Sequence, residues 1–186
     1  MRLTALLFVA GLGALPAVAS EQHLRQAVFP TAIQTGDGTL VRRQEGVLSY
    51  FFVQVYSAAL FTPQDINLAE LDISSDPFRL DIFYHRKIER NEALKLAWAT
   101  LRRQLGKDQL ARLTPSIESL HAQIADIRPG DRYSLSLHSK PALTLSRNGE
   151  TIFTSDDPEL AQVYARMWLG EDGISRRLRR TLLPDT

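Results

Sequence analysis

Cysteine is absent from this chain of 186 residues. That excludes a disulfide framework, a thiol nucleophile, a thiolate metal site and a lipid-anchored cysteine start. Surplus charge is also missing: the formal net charge is +1. A balanced surface gives no electrostatic footprint for nucleic acid. The four histidines, His23, His85, His121 and His138, are scattered, with no H-E-x-x-H or other close pair, so no local spacing supports a metal site. The sequence has no G-x-S-x-G elbow, no P-loop and no G-x-G-x-x-G, and nothing in it calls for a cofactor. A Ser-His-Asp arrangement built only in space stays open. Beyond the N-terminus, no stretch approaches the roughly 20 apolar residues that a membrane-spanning helix needs.

What is present begins with MRLTALLFVAGLGALPAVAS. One arginine precedes an apolar run from Leu3 to Leu15, followed by Ala17-Val18-Ala19. This is the pattern of a secretory signal peptide over residues 1–19, with cleavage expected after Ala19. Removing it takes Arg2 away and leaves acidic and basic residues in balance. The expectation is an exported protein, periplasmic or secreted, whose residues 20–186 form one domain with no transmembrane segment in the mature chain.

The rest falls into blocks of strands, helices, strands and helices. Ala27–Thr35, Leu40–Leu48, Ser49–Thr62 and Phe78–Ile88 read as strands, the third a single long one rich in aromatic and β-branched residues. Leu94, Ala97, Trp98, Leu101 and Leu105 make one helical stripe, and Leu110 to Ile127 repeats it. Pro115 falls inside the second, which predicts a break there with Thr114 capping a restarted helix. Tyr133–Ser139, Ala142–Ser146 and Glu150–Thr154 are short strands, the last two joined by an Asn-Gly hairpin signal. Asp157-Pro158 opens a helix with a buried stripe of Leu160, Val163, Tyr164, Met167 and Trp168, and Ile174–Leu183 forms the last. Clustered rather than singly alternating strands predict an α+β fold: an antiparallel sheet with a helical layer. Four arginines of the last helix, Arg176, Arg177, Arg179 and Arg180, lie off its apolar stripe and read as a solvated face rather than a membrane contact.

FFVQVYSAALFTP, residues 51 to 63, raises the functional question. Alternation puts Phe51, Val53, Val55, Ser57, Ala59 and Phe61 on one side, which should face core. The other side, Tyr50, Phe52, Gln54, Tyr56, Ala58 and Leu60, is aromatic with polar tips. That suits the wall of a pocket for an apolar ligand with one polar end, and equally suits tips that reach solvent or a backbone carbonyl.

The stretch VQVYSAALFTP resembles the VY-x-AALY strand of the bacterial chalcone isomerase-like proteins, an exported family. The likeness resumes in order at IRPGDRYSLSL, at the hairpin LTLSRNGETI and at DPELAQVYARMWLGEDGISRRLRRTLL. It implies an open-faced β-sandwich of the chalcone isomerase type, with a cleft between sheet and helices. Plant isomerases of this kind close a flavanone ring there; their plastid relatives hold a fatty acid with an arginine and a tyrosine on the carboxylate. On that resemblance Tyr56 falls at the carboxylate tyrosine and Arg43, on the preceding strand, near the partner arginine, with Gln54 beside them as a ligand-binding candidate. Arg42 adjoins Arg43, and a one-residue slip of register would exchange them. Ser49 stands where many bacterial members carry an arginine, and no match appears for the isomerases' catalytic set. The resemblance therefore implies a non-catalytic extracytoplasmic binding protein for a lipid-like or fatty-acid ligand with a carboxylate end. The alternatives are an isomerase or lyase acting on a small phenolic or enone substrate, and a structural partner of an envelope or lipid-modifying protein.

Overall fold

Two tight hairpins frame the sheet. The computed structural model describes residues 15–50 and 53–183, and side chains over 20–49 and 55–183. Its strands are β1 (Ala32–Thr35), β2 (Gly38–Tyr50), β3 (Val53–Thr62), β4 (Phe78–Tyr84), β5 (Arg132–Leu137), β6 (Leu143–Arg147) and β7 (Glu150–Ser155). They pair in sequence order, every pair antiparallel, so the described sheet is a seven-stranded meander. Asn148 and Gly149 both have positive φ, 53° and 86°, as the turn that matches strand twist requires. The sheet is curled: Ser139, after β5, donates through its backbone N–H and its hydroxyl to Asp37 in the β1–β2 turn, at 3.0 and 2.6 Å.

Five helices are described: α1 (Leu15–Ala27), α2 (Arg90–Gln104), α3 (Lys107–Ala122), α4 (Pro158–Leu169) and α5 (Arg176–Leu182). Asp157 caps α4 by accepting from the N–H groups of Glu159 and Leu160, and Ser175 caps α5 through Leu178. Helices α2 to α5 cover one face of the sheet over the main core, where Leu60, Phe78, Leu80, Leu101, Ile117, Leu160 and Leu178 are fully buried. A smaller core on the other face, made by Ala27, Phe29, Leu40, Ala59 and Phe61, is covered by α1. The fold is the α+β arrangement that the clustering of strands predicts.

The second helical stripe ends at Ala122 rather than Ile127 and the strand from Phe78 at Tyr84, Ile88 and Ile127 forming an isolated bridge; four further local expectations change. First, Ala27 ends a helix rather than beginning a strand. Second, the single long strand over Ser49–Thr62 is two: Tyr50 pairs with Val53, so residues 49–50 close β2 and β3 starts at Val53. Third, Pro115 does not break α3. Its missing N–H leaves the Ala111 carbonyl without a helical partner, but both residues are exposed, where solvent is free to serve that carbonyl. The Thr114 hydroxyl donates back to Leu110 O at 2.7 Å instead of capping a new helix. Fourth, the side of β3 assigned to the core lies in the smaller one: Ser57, Ala59 and Phe61 are buried under α1, while Ala58 and Leu60 enter the main core.

Helix α1 spans the expected cleavage point after Ala19, and residues 1–14 lie outside the described residues. Among the described side chains, Leu24 and Ala27, both beyond that point, pack against the smaller core.

Candidate functional site

Between the sheet and helices α2, α3 and α4 lies a cavity of about 260 Å³. Its floor is the inward face of β3, β4 and β5: Tyr56, Leu80, Ile82, Tyr84, Tyr133 and Leu135. The roof brings Ala93, Ala97, Leu120, His121, Tyr164 and Met167 from the helices. Ala93 and Ala97, one turn apart on α2, leave room where larger side chains would fill the space. At one end the wall includes Glu92 and Leu96; Leu96 is 50% exposed, so the cavity reaches the surface of α2.

The polar atoms in this lining are few. Tyr56 and Tyr84 are register partners on β3 and β4, with ring centroids 5.8 Å apart. Tyr133 stands edge-on to Tyr84 at 6.1 Å. The Tyr56 hydroxyl lies near Ser175, the cap of α5; burial pushes its phenol up to about 12, partly offset by Ser175. Burial raises Tyr84 and Tyr164 further, so all three are neutral hydroxyls at physiological pH. His121 lies between Trp98 and Tyr164, with ring centroids at 5.1 and 6.2 Å. Burial, and secondarily the Arg90 charge, holds its imidazole down at about 4, so it too is neutral.

Three polar atoms of lining residues lack a hydrogen-bond partner among the described residues: the Tyr133 hydroxyl, the Tyr164 hydroxyl and His121 Nδ1. Tyr164 is 3% exposed and His121 5%. The Tyr133 hydroxyl meets only the Ala125 backbone, without hydrogen-bonding geometry. Unpartnered buried polar groups are uncommon, each at a cost of about 1–3 kcal/mol. Their collection around one apolar space makes that space the candidate site.

The three residues singled out from the sequence have different places. Tyr56 lines the cavity. Gln54 belongs to β3, but its side chain lies outside the described residues. Arg43 is the extra residue of a β-bulge: Arg42 pairs with Phe61 and Gln44 with Leu60. Its guanidinium donates to Thr62 Oγ1, Pro63 O and Ile66 O at 3.1, 3.0 and 2.8 Å, clasping the loop after β3. Arg42 donates to Phe29 O at 2.7 Å and pairs with Glu45 at 2.9 Å. Neither arginine is in the cavity lining, so the structure does not assemble an arginine–tyrosine pair. Tyr84, Tyr133, Tyr164 and His121 were not singled out, because each sits at an ordinary core position of its strand or helix. The available signal was that four of the chain's five tyrosines fall on inward positions.

A second polar cluster lies on the α1 side. Ser57 Oγ and His85 Nε2 are 2.8 Å apart, and the His85 ring stands edge-on to His23 at 4.2 Å. Ser57 is fully buried. Among the described residues, no group of His, Asp and Glu has the geometry to hold a metal ion.

A curled antiparallel meander, open on one face to a helical layer with an apolar cavity beneath it, defines an open-faced α+β protein of the chalcone isomerase type. Residues 21–184 match the family described as chalcone isomerase-like, and the chain belongs to that family. Among solved structures it is similar to a fatty-acid binding protein of Arabidopsis thaliana, with a TM-score of 0.59 at 14% identity, over 82% of this chain and 89% of that one. That likeness is one of fold. No curated protein matches the chain in sequence.

Proposed function

We propose that this protein binds a small lipid-like molecule in the cavity between sheet and helices, without turnover of its own, and that it does so outside the cytoplasm. The cavity carries the reading: about 260 Å³, walled almost wholly by aliphatic and aromatic side chains and reaching the surface at Leu96. It lies just below the usual ligand-pocket range of roughly 300–1,000 Å³, the size for a ring system or a modest acyl chain. The fatty-acid binding protein of similar fold supports a lipid-like occupant. A space that reaches the surface favours binding over a purely structural role, for which the cleft would be closed. Export rests on the signal-peptide pattern of residues 1–19.

Native mass spectrometry of the protein purified gently from the exported fraction, followed by organic extraction, tests both parts. The expected result is a chain shortened by its first 19 residues carrying one small apolar molecule. A protein that is empty, and stays empty when offered both charged and uncharged lipids, overturns the binding reading. An uncleaved chain held in the cytoplasm overturns the location.

A further inference from the structure

The geometry points to an uncharged ligand: an apolar molecule whose polar end is a hydroxyl or carbonyl group, with free carboxylates selected against. This rests on the binding reading above and names the chemistry of the same cavity. A carboxylate taken out of water needs a cation or several convergent donors, or it is expelled. Among the described lining residues none is an arginine or lysine. The arginines beside lining residues, and the two singled out from the sequence, are committed elsewhere: Arg147, 5.7 Å from the centre of the Tyr133 ring, pairs with Asp131 at 2.7 Å. Arg43 clasps the loop after β3 and Arg42 holds Glu45 and Phe29 O. Arg90, beside His121, donates to Ile124 O and His121 O at 2.7 and 3.1 Å. The one ionisable acid of the lining, Glu92, stands at the exposed end and repels an anion there.

What the cavity does offer is neutral. The unpartnered Tyr164 hydroxyl gives and takes a hydrogen bond; the neutral His121 imidazole leaves Nδ1 unpartnered beside it. Neither atom has accessible surface of its own, so a ligand group reaches them by displacing a ring; a hydroxyl there serves both groups in either tautomer of His121, and a carbonyl accepts from the Tyr164 O–H. One such ligand group relieves buried polar atoms that the protein alone leaves unsatisfied.

The test is displacement of the uncharged dye N-phenyl-1-naphthylamine by decanol, methyl decanoate and decanoate at pH 8, in the intact exported protein. Methyl decanoate and decanoate differ chiefly in charge. The alcohol and the ester should displace the dye at concentrations about ten-fold or more below the carboxylate, the scale of one lost charge-compensating interaction. Tyr164→Phe should weaken decanol by about ten-fold, with a cooperative thermal transition reporting that the variant is folded. Decanoate binding as tightly as the ester, or Tyr164→Phe leaving decanol unchanged, overturns this inference while the lipid cavity stands. If neither the dye nor any of the three compounds binds, the binding reading itself fails.

Discussion

Gly46 of β2 lies directly beneath Thr181 of α5: a Cβ placed on Gly46 would stand 2.2 Å from Thr181 Cγ2. No side chain fits between the two elements at this point. Thr181 cannot swing aside freely, because its hydroxyl donates to Arg177 O at 2.9 Å and fixes the rotamer. Gly46→Ala therefore lifts α5 from the sheet or strains Thr181. The expected loss is about 1–3 kcal/mol, as for other overpacked sites, seen as a drop in thermal midpoint of roughly 2–4 °C per kcal/mol for a chain of this size. Thr181→Ser removes the methyl and keeps the hydroxyl, so in the double variant most of the loss should be recovered. A double variant no more stable than Gly46→Ala alone would mean that the contact is not what excludes a side chain.

Arg43 has a structural assignment with a measurable consequence. Replacing it with methionine keeps much of the aliphatic stem but strips Pro63 O and Ile66 O of their donor. These partly buried carbonyls make the change cost about 1–3 kcal/mol of stability, read from urea midpoints. Ligand or dye affinity should stay within about two-fold, since the side chain does not line the cavity. A ten-fold loss of affinity at unchanged stability would return Arg43 to the binding site.

Why Arg43 looked like a ligand residue and is none of the cavity's lining is a matter of register. Period-2 alternation predicts faces only where the ladder is regular, and β2 carries its irregularity at Arg43, β3 at Val55. Across the Val55 bulge a count of two along the sequence no longer fixes the face. Neither bulge has a sequence mark: no glycine or proline occupies them. Where the chemistry is local, the sequence was legible. Asn148-Gly149 turns as its positive φ angles require, and Asp157-Pro158 starts α4 with the predicted cap. Pro115 shows the limit of a local rule, since an exposed position removes most of the cost of its lost hydrogen bond. The cavity was least legible of all. Tyr164 and His121 fill stripe positions indistinguishable from core, and their unpartnered atoms become visible only when sheet and helices are set together.

Stability should fall as pH drops from about 6.5 to about 4. Burial holds His121 down at about 4, with the Arg90 charge acting in the same sense; burial, then the neighbouring His23, does the same for His85. Below about 6.5 the unfolded chain takes up protons at these positions while the folded chain does not, so the folded state loses ground. Below about 4 the folded state protonates too and this contribution levels off. His121 accounts for a loss on the order of 3 kcal/mol across the window, and the partly exposed His85 for less. Carboxylates act at lower pH. Desolvation works to raise Asp131, but bonds from Asn148, the Arg128 N–H and Arg147 outweigh it and keep it lowered. Urea midpoints at a series of pH values check this: His121→Phe should flatten the slope between pH 6.5 and 4. An unchanged slope in that variant would mean that His121 titrates as an exposed histidine does.

The mouth of the cavity gives a gain-of-function test of the ligand's charge. Leu96 is half exposed on α2, and Glu92 lies one turn before it. Leu96→Arg keeps a good helix former at the position and sets a cation at the favourable i, i+4 spacing from Glu92. Being on the surface, the change should move stability by no more than about 0.5 kcal/mol. Its effect on binding should depend on the ligand. The introduced guanidinium offsets Glu92 and attracts anions, so decanoate should displace the dye about three- to ten-fold better than from the parent protein, with decanol little changed. High salt should erase much of that gain, because the pair is exposed. If decanoate affinity does not respond to a cation at this end while decanol still binds, the polar end of the ligand lies away from the mouth, deep beside Tyr164 and His121.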